Sequence, residues 1–118
     1  MSNNDKSLLS KKMNESKSEL GQYLRGLRTK REETLHQVAK GTDIDSPMLS
    51  KIERGERLPT SEQLKRLAKY YNISEESLIV KHTAEKILKE FGANETTYNA
   101  IQIVNEQLMP YSNKSIKK

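Results

Sequence analysis

Hydrophobic residues recur three and four positions apart along most of the chain, but only from Ser18 onward. Residues 1–17 are polar and rich in Lys, Asn and Ser, which predicts a disordered N-terminal arm. The first amphipathic segment predicts a helix over about residues 19–31, with Ser16 or Ser18 as its N-cap. Its inward stripe consists of Leu20, Tyr23, Leu24 and Leu27.

A short second helix is predicted next. Thr34 is a typical N-cap, and the run Gly41-Thr42-Asp43 is expected to end this helix after about two turns. Its inward residues are Leu35, Val38 and Ala39.

A third short helix begins with Asp45 or Ser46 as its N-cap and ends at Gly55. Asp45 is the better candidate. It makes the flanking apolar residues Ile44 and Leu49 the two halves of a hydrophobic staple, which Ser46 would not.

Two longer helices complete the predicted domain. Thr60 and Gln63 have the spacing of a capping box, which predicts the start of a fourth helix. Its inner face is lined by Leu64, Leu67, Ala68 and Tyr71. Ser74 is expected to cap a fifth helix, whose first turn carries two glutamates at the positive end of the helix dipole. No run of residues alternates as a strand would, so the predicted fold class is all-α.

The apolar periodicity continues along the fifth helix, which is expected to run to Phe91 and stop at Gly92. Asn94 can cap a further helix over about residues 95–109, which Pro110 is expected to end. The apolar positions of this extension are Val80, Ala84, Ile87, Leu88, Phe91, Tyr98, Ile101, Val104 and Leu108.

The composition fits one domain with a short appendage. Of the 118 residues 33% are hydrophobic and 31% charged, with one Phe and no Trp, so only a modest core can form. No stretch approaches the roughly 20 apolar residues of a membrane helix, and we expect no membrane association. The absence of Cys excludes disulfides and thiol chemistry, and it fits the cytoplasmic location that we expect.

The net charge of +5 favours polyanions, which places nucleic acid among the candidate partners. The predicted third helix suits such a partner, because Leu49 and Ile52 would point inward and leave a short, basic outer face with only Glu53 at its edge. The outer residues are Ser46, Pro47, Ser50, Lys51 and Arg54. A helix that approaches base edges in the major groove needs such a face. An ordinary solvated surface would show a similar pattern.

The residue sequences of several segments resemble those of a known protein family. The run Leu20–Arg28, the run Leu35–Ala39 and the run Leu49–Thr60, which contains Ser-Lys-Ile-Glu-Arg-Gly, resemble the Cro/C1-type (Xre-family) helix-turn-helix domain. The match extends through two closing helices to Ile79. It implies a five-helix, lambda repressor-like DNA-binding domain. The expected organisation is an arm over 1–17, this domain over 18–79, a helical extension over 80–109 and a basic, frayed tail over 110–118.

The resemblance implies a role for each matched residue. The residues that would face the major groove of double-stranded DNA are Ser46, Pro47, Ser50 and Lys51, with Arg54 at its edge. The residues that would hold phosphates are Thr34, Leu35 and His36 at the start of the second helix and Arg57 in the loop after the third. Arg28 and Glu53 match a pair that forms a partly buried salt bridge between the first and third helices.

Two departures from the family pattern affect DNA binding. Many members have Gln where this chain has Leu35, and Leu cannot donate a hydrogen bond. Glu32 and Glu33 replace the usual Gly-Leu, so two carboxylates would repel phosphate unless Lys30 and Arg31 offset them.

The extension carries more apolar surface than a compact five-helix domain needs. We expect it to form a dimer interface, so that a repressor or controller of transcription reads a palindromic operator as a homodimer. The dimerisation residues are Val80, Ala84, Ile87, Leu88, Phe91, Tyr98, Ile101, Val104 and Leu108. The alternative is that the extension folds back as an extra intramolecular layer. It resembles, more loosely, Xre-type regulators encoded beside DNA methyltransferases.

The sequence also bears on two other functional classes, an enzyme and an antitoxin. His36 and His82 are the only histidines, and neither has a metal-ligand spacing or a nucleophile motif beside it. The five glycines form no phosphate-binding loop. We therefore expect no enzymatic activity, no metal and no cofactor. The alternative function is that of an antitoxin. It would bind a toxin through the extension and its own operator through the helix-turn-helix, and its protein partner is unknown.

Overall fold

The structure, a computed structural model, describes residues 18–117, with side chains described for residues 18–112. The predicted arm over residues 1–17 lies outside the described residues. The described part is entirely helical, and this confirms the all-α prediction. The helices are α1 (Glu19–Lys30), α2 (Leu35–Thr42), α3 (Ser46–Glu53), α4 (Ser61–Tyr71), α5 (Glu75–Phe91) and α6 (Glu95–Lys117).

Local capping residues set most of these helix starts. The Ser18 hydroxyl accepts the Gly21 N–H at 2.6 Å, so Ser18 is the cap of α1. Asp45 is the cap of α3, since its Oδ1 accepts the Met48 N–H at 2.8 Å. Capping boxes start α2 at Thr34 with Gln37 and α4 at Thr60 with Gln63. Each cap satisfies a helix N–H that would otherwise lack an acceptor.

The hydrophobic core is built by α1 to α4 together with the first part of α5. The buried apolar residues are Leu20, Leu24, Val38, Ile44, Leu49, Ile52, Leu64, Leu67, Ala68, Tyr71 and Leu78. The predicted inward residues Tyr23, Leu27, Leu35 and Ala39 pack against this core with partial exposure. Helix α1 crosses α3 at very short range at Gly21, where a Cβ atom would lie 2.4 Å from the Glu53 carbonyl oxygen. A glycine is therefore required at this crossing.

The start of α5 is fixed against the start of α1. Leu78 is completely buried, and the Lys81 ammonium lies 4.9 Å from the centre of the Tyr23 ring. The Ser18 hydroxyl donates a hydrogen bond to the buried carboxylate of Glu85. One compact unit of the chain ends at Glu85.

A second compact unit begins at Lys86 and contains α6. Helix α5 stops at Phe91 because Gly92 takes a φ of 90°, as predicted. Asn94 caps α6, since its Oδ1 accepts the Thr97 N–H at 2.9 Å. Among residues 18–117 no helix is both long enough and apolar enough to cross a membrane.

The predicted end of the last helix at Pro110 is wrong, because α6 continues to Lys117. Proline removes one N–H from the ladder, so the carbonyl four residues earlier loses its partner within the helix. Residues 106–112 are all exposed, and water can bind that carbonyl at this site. The rule that proline ends a helix is weaker where nothing packs around it.

The break after α2 lies at the end of the predicted run, because Asp43 takes the left-handed conformation with a φ of 60°. Gly41 is inside the helix. A Cβ atom there would lie 2.1 Å from the Tyr70 ring, so Gly41 serves close packing of α4 on α2 and not the turn.

Candidate nucleic-acid interface

Helices α2 and α3 are joined by a turn of three residues whose geometry is fixed by short contacts. The Asp43 N–H donates to the Ala39 carbonyl at 2.8 Å, and the Ile44 N–H donates to the Thr42 hydroxyl at 3.3 Å. Ile44 is 3% exposed and anchors the middle of the turn in the core. Two helices of eight residues each are thus held at a fixed angle, although neither would be stable alone.

One side of α3 is in the core and the other is at the surface. Leu49, Ile52 and Glu53 are buried. The residues predicted to face DNA lie on the opposite side: Pro47, Lys51 and Arg54 are exposed, and Ser46 and Ser50 are half-buried. The structure therefore brings the five predicted groove-facing residues to one surface.

The start of α2 offers backbone donors in place of side chains. Leu35 packs against the core with partial exposure, and its side chain has no hydrogen-bond donor to offer a phosphate. Thr34 and Gln37 satisfy each other through the capping box, at 3.1 Å and 2.7 Å. The N–H groups of Leu35 and His36 are in the first turn, where a helix supplies no acceptor, and this end of a helix attracts phosphate. His36 and Arg57 are exposed.

Arg28 and Glu53 form a bidentate ion pair between α1 and α3. Arg28 Nε lies 2.9 Å from Glu53 Oε2, and Nη2 lies 3.0 Å from Oε1. Their side chains are 15% and 9% exposed. Arg28 Nη1 also donates to the Glu33 carbonyl oxygen at 2.9 Å, and the hydrogen bond to Glu53 raises the pKa of Arg28 above its ordinary value. This cluster fixes α3 and the α1–α2 turn to α1.

Comparison with known proteins identifies this arrangement of helices. A family model described as a helix-turn-helix domain matches residues 19–78, about half of the chain. The chain belongs to the helix-turn-helix domain family. Two Mycobacterium tuberculosis proteins, one each from strains CDC 1551 / Oshkosh and H37Rv, are similar to it, and both are described as uncharacterized HTH-type transcriptional regulators. Each is 33% identical over 61 residues.

These matches cover 52% of this chain and 44% of each relative, so the chain spans less than half of the length of the relatives it matches. No solved structure matched the chain. The matched segment contains α1 to α4 and the beginning of α5, with all the predicted DNA-contacting residues.

The two glutamates in the turn between α1 and α2, Glu32 and Glu33, are placed differently from each other. The Glu33 side chain is 19% exposed, and its Oε2 accepts the Tyr70 hydroxyl at 2.8 Å and lies 3.7 Å from Arg31 Nη2. The Arg31 guanidinium lies over the rings of Tyr70 and Tyr71, at 4.8 Å and 5.3 Å from their centres. Of the two only Glu32 is exposed, whereas the Glu33 carboxylate is directed toward Tyr70 and Arg31 within the domain.

Sequence reasoning missed two contacts within the domain, that of Tyr70 with Glu33 and that of Glu56 with Arg54. Tyr70 is 37 positions from Glu33, and no local pattern indicates that contact. Glu56 binds Arg54 with two hydrogen bonds, at 2.9 Å and 3.1 Å. The local signal for this second contact was Gly55, which reverses the chain directly after α3.

Proposed function

We propose that this chain is a sequence-specific DNA-binding regulator of transcription, and that α3 enters the major groove. The observation that carries the proposal is the surface of α3, where the exposed side combines small polar side chains with Lys51 and Arg54. The one carboxylate within α3, Glu53, is turned inward and paired with Arg28. A negatively charged groove can thus approach this face, and its donors can reach base acceptors.

Contacts to the DNA backbone are proposed for the start of α2 and for Arg57. The N–H groups of the first turn of α2 suit a phosphate, and His36 is exposed beside them. Arg57 follows the turn at Gly55 and is exposed as well. Such contacts would set the register of α3 on the duplex without reading its sequence.

We further propose that the chain binds an inverted repeat as a homodimer through the interface inferred from residues 80–109. One helix-turn-helix covers few base pairs, and a two-fold pair of domains multiplies specificity. Within the second unit, the apolar side chains of α6 are exposed at a helical spacing. The exposed fractions are 65% for Tyr98, 36% for Ile101, 45% for Val104 and 52% for Leu108. A second copy would remove this stripe from water.

An antitoxin is the second candidate, because the same stripe on α6 could bind a different protein. The two candidates differ in the state of the isolated chain. A regulator of the first kind sediments as a dimer at micromolar concentration, whereas an antitoxin that needs its toxin for this surface sediments as a monomer.

Selection of bound duplexes from random DNA tests the DNA-binding proposal. We expect an enriched inverted repeat. Lys51→Ala should weaken binding to it by about 1–3 kcal/mol and relax the preference at one base position. Arg57→Ala should weaken binding to all sequences alike and reduce the salt dependence.

Lys69→Ala is the matched control for Lys51→Ala, since Lys69 is also exposed but lies on α4, outside the proposed contact surface. If the full chain enriches no sequence in this selection, the proposal is refuted. Equal effects of Lys51→Ala on selected and random DNA would refute the base-reading role of Lys51 alone.

A further inference from the structure

The C-terminal end of α3 holds a three-residue cluster on the proposed DNA-facing surface. Arg54 Nε donates to Glu56 Oε2 at 2.9 Å, and Nη2 donates to Glu56 Oε1 at 3.1 Å. Arg54 Nη1 donates to the hydroxyl of Ser50. Arg54 is therefore oriented by two neighbours, although its side chain is 46% exposed.

The backbone turn after α3 brings Glu56 to this position. Gly55 has a φ of 76°, in the left-handed region that favours glycine. The Glu56 N–H then donates back to the Lys51 carbonyl at 2.8 Å, and the Gly55 N–H donates to the Ile52 carbonyl at 3.1 Å. This is the hydrogen-bond pattern of a Schellman motif. It places Glu56 beside the last turn of α3.

Gly55 cannot readily be replaced. A Cβ atom at Gly55 would lie 2.6 Å from Ser18 Cβ, and the positive φ would be strained for any other residue type. The position of Glu56 is thus fixed by the fold of the domain, and its carboxylate needs only its own rotamer to meet Arg54.

The hydrogen-bond inventory of Arg54 shows what this contact leaves available. A guanidinium has five N–H groups. Glu56 and Ser50 take three of them, and one N–H remains on each of Nη1 and Nη2. An arginine that reads guanine donates two hydrogen bonds, to O6 and N7.

We propose that Glu56 is a positioning residue for base recognition, which holds the Arg54 guanidinium beside Ser50 so that Arg54 reads a base in the major groove. This inference rests on the proposed function, since it requires that α3 enters the groove. Glu56 itself touches no base in this proposal. It acts through Arg54.

The physical argument concerns specificity and not stability. An exposed ion pair contributes little to folding. Beside DNA, an unrestrained arginine is attracted to the nearest phosphate, and that contact is the same for every sequence. A carboxylate on the guanidinium weakens this non-specific attraction and fixes the direction of the remaining donors. Specificity is a difference of affinities, so a group that costs affinity for all DNA can still improve discrimination.

Glu56 retains its charge near neutral pH. The hydrogen bond from Arg54 lowers the pKa of the Glu56 carboxyl, and the positive charges of Arg54 and Lys51 lower it further. Glu56→Gln removes this charge and keeps the shape of the side chain.

Glu56 could position Arg54, or it could act only as a charge that repels DNA, and the two roles predict different results for Glu56→Gln. A positioning role predicts that affinity for random-sequence duplex rises by about two- to fivefold, because one negative charge is lost near the DNA. The ratio of affinities for the selected duplex and the random duplex should fall by about tenfold. The base position that loses its preference should be the one that Arg54→Ala relaxes.

Glu62→Gln is the matched control. Glu62 is an exposed carboxylate on α4, with an oxygen 3.3 Å from Arg66 Nε, so this variant removes the same charge from a comparable pair. We expect no loss of base preference in Glu62→Gln. All variants are full-length chains, and their melting temperatures should agree with that of the parent.

Two results would overturn the positioning role. The first is an equal rise in affinity for the selected and random duplexes in Glu56→Gln, which would make Glu56 a repelling charge only. The second is an unchanged base preference in Arg54→Ala. If Lys51→Ala still relaxes a base position in either case, the proposed function stands without this role for Glu56. If the parent chain selects no sequence, the proposed function itself has failed.

Discussion

Replacing Arg28 with Met removes one half of the ion pair that joins α1 to α3. Arg28 and Glu53 are 15% and 9% exposed and share two hydrogen bonds, so each charge is largely withdrawn from water. Breaking such a pair on one side leaves a desolvated charge without its partner, which costs about 3–5 kcal/mol. A domain of this size unfolds about 4–8 °C lower for each kcal/mol lost. Arg28→Met and Glu53→Leu should each lower the melting temperature by at least about 12 °C.

The double variant Arg28→Met/Glu53→Leu separates this mechanism from a loss of packing. Replacement of both charges by apolar groups is often nearly neutral. Its destabilisation, measured by urea unfolding, should therefore be much smaller than the sum of the two single losses. Glu62→Gln with Arg66→Met is the control cycle, because that exposed pair should couple by at most about 0.5 kcal/mol. Additive losses in the Arg28–Glu53 cycle would refute the reasoning.

Three further predictions concern packing and assembly. Gly41→Ala should destabilise the chain, since its Cβ would lie 2.1 Å from the Tyr70 ring. Gly26→Ala places its Cβ where no atom lies within 4 Å and should raise the stability by up to about 1 kcal/mol. Thermal unfolding of both variants tests this difference. Tyr70→Phe removes the hydroxyl that donates to the partly buried carboxylate of Glu33 at 2.8 Å and should cost about 1.5–3 kcal/mol in urea unfolding. An unchanged midpoint would contradict that contact. Ile101→Asp should convert the proposed dimer to a monomer in sedimentation, whereas Ile103→Asp, which changes an exposed residue on the opposite face of α6, should not.

The helix starts could be predicted because each depends on residues close together in sequence. Asp45 with the Met48 N–H and Thr60 with Gln63 are contacts over three positions. The same is true of the end of α5, where the positive φ of residue 92 favours glycine. A periodic pattern and a capping residue contain nearly all the information for these features.

The contacts that join the helices could not be predicted in the same way. Tyr70 meets Glu33, and Ser18 meets Glu85 across 67 positions, only because the packing of the helices brings them together. The prediction that Pro110 ends the last helix was wrong for a different reason. It applied a local rule to a residue inside a solvent-exposed stretch of helix. The Arg28–Glu53 contact was expected from the family resemblance and not from the spacing of charges.

We expect the arrangement of charge in the domain to matter more for the proposed DNA binding than the net charge of +5 does. Three carboxylates in or near α2 and α3 lie within 3.7 Å of an arginine nitrogen. The pairs are Glu33 with Arg31, Glu53 with Arg28 and Glu56 with Arg54. Close opposite charges cancel beyond roughly a Debye length of 8–10 Å, so these six residues contribute little to the long-range field. In the proposed complex we expect the long-range attraction for a duplex to come mainly from exposed cations such as Lys51 on α3 and Arg57 in the loop after it. Of these three arginines only Arg54 is proposed to meet a base, at short range, where the direction of its hydrogen bonds would decide which base is accepted.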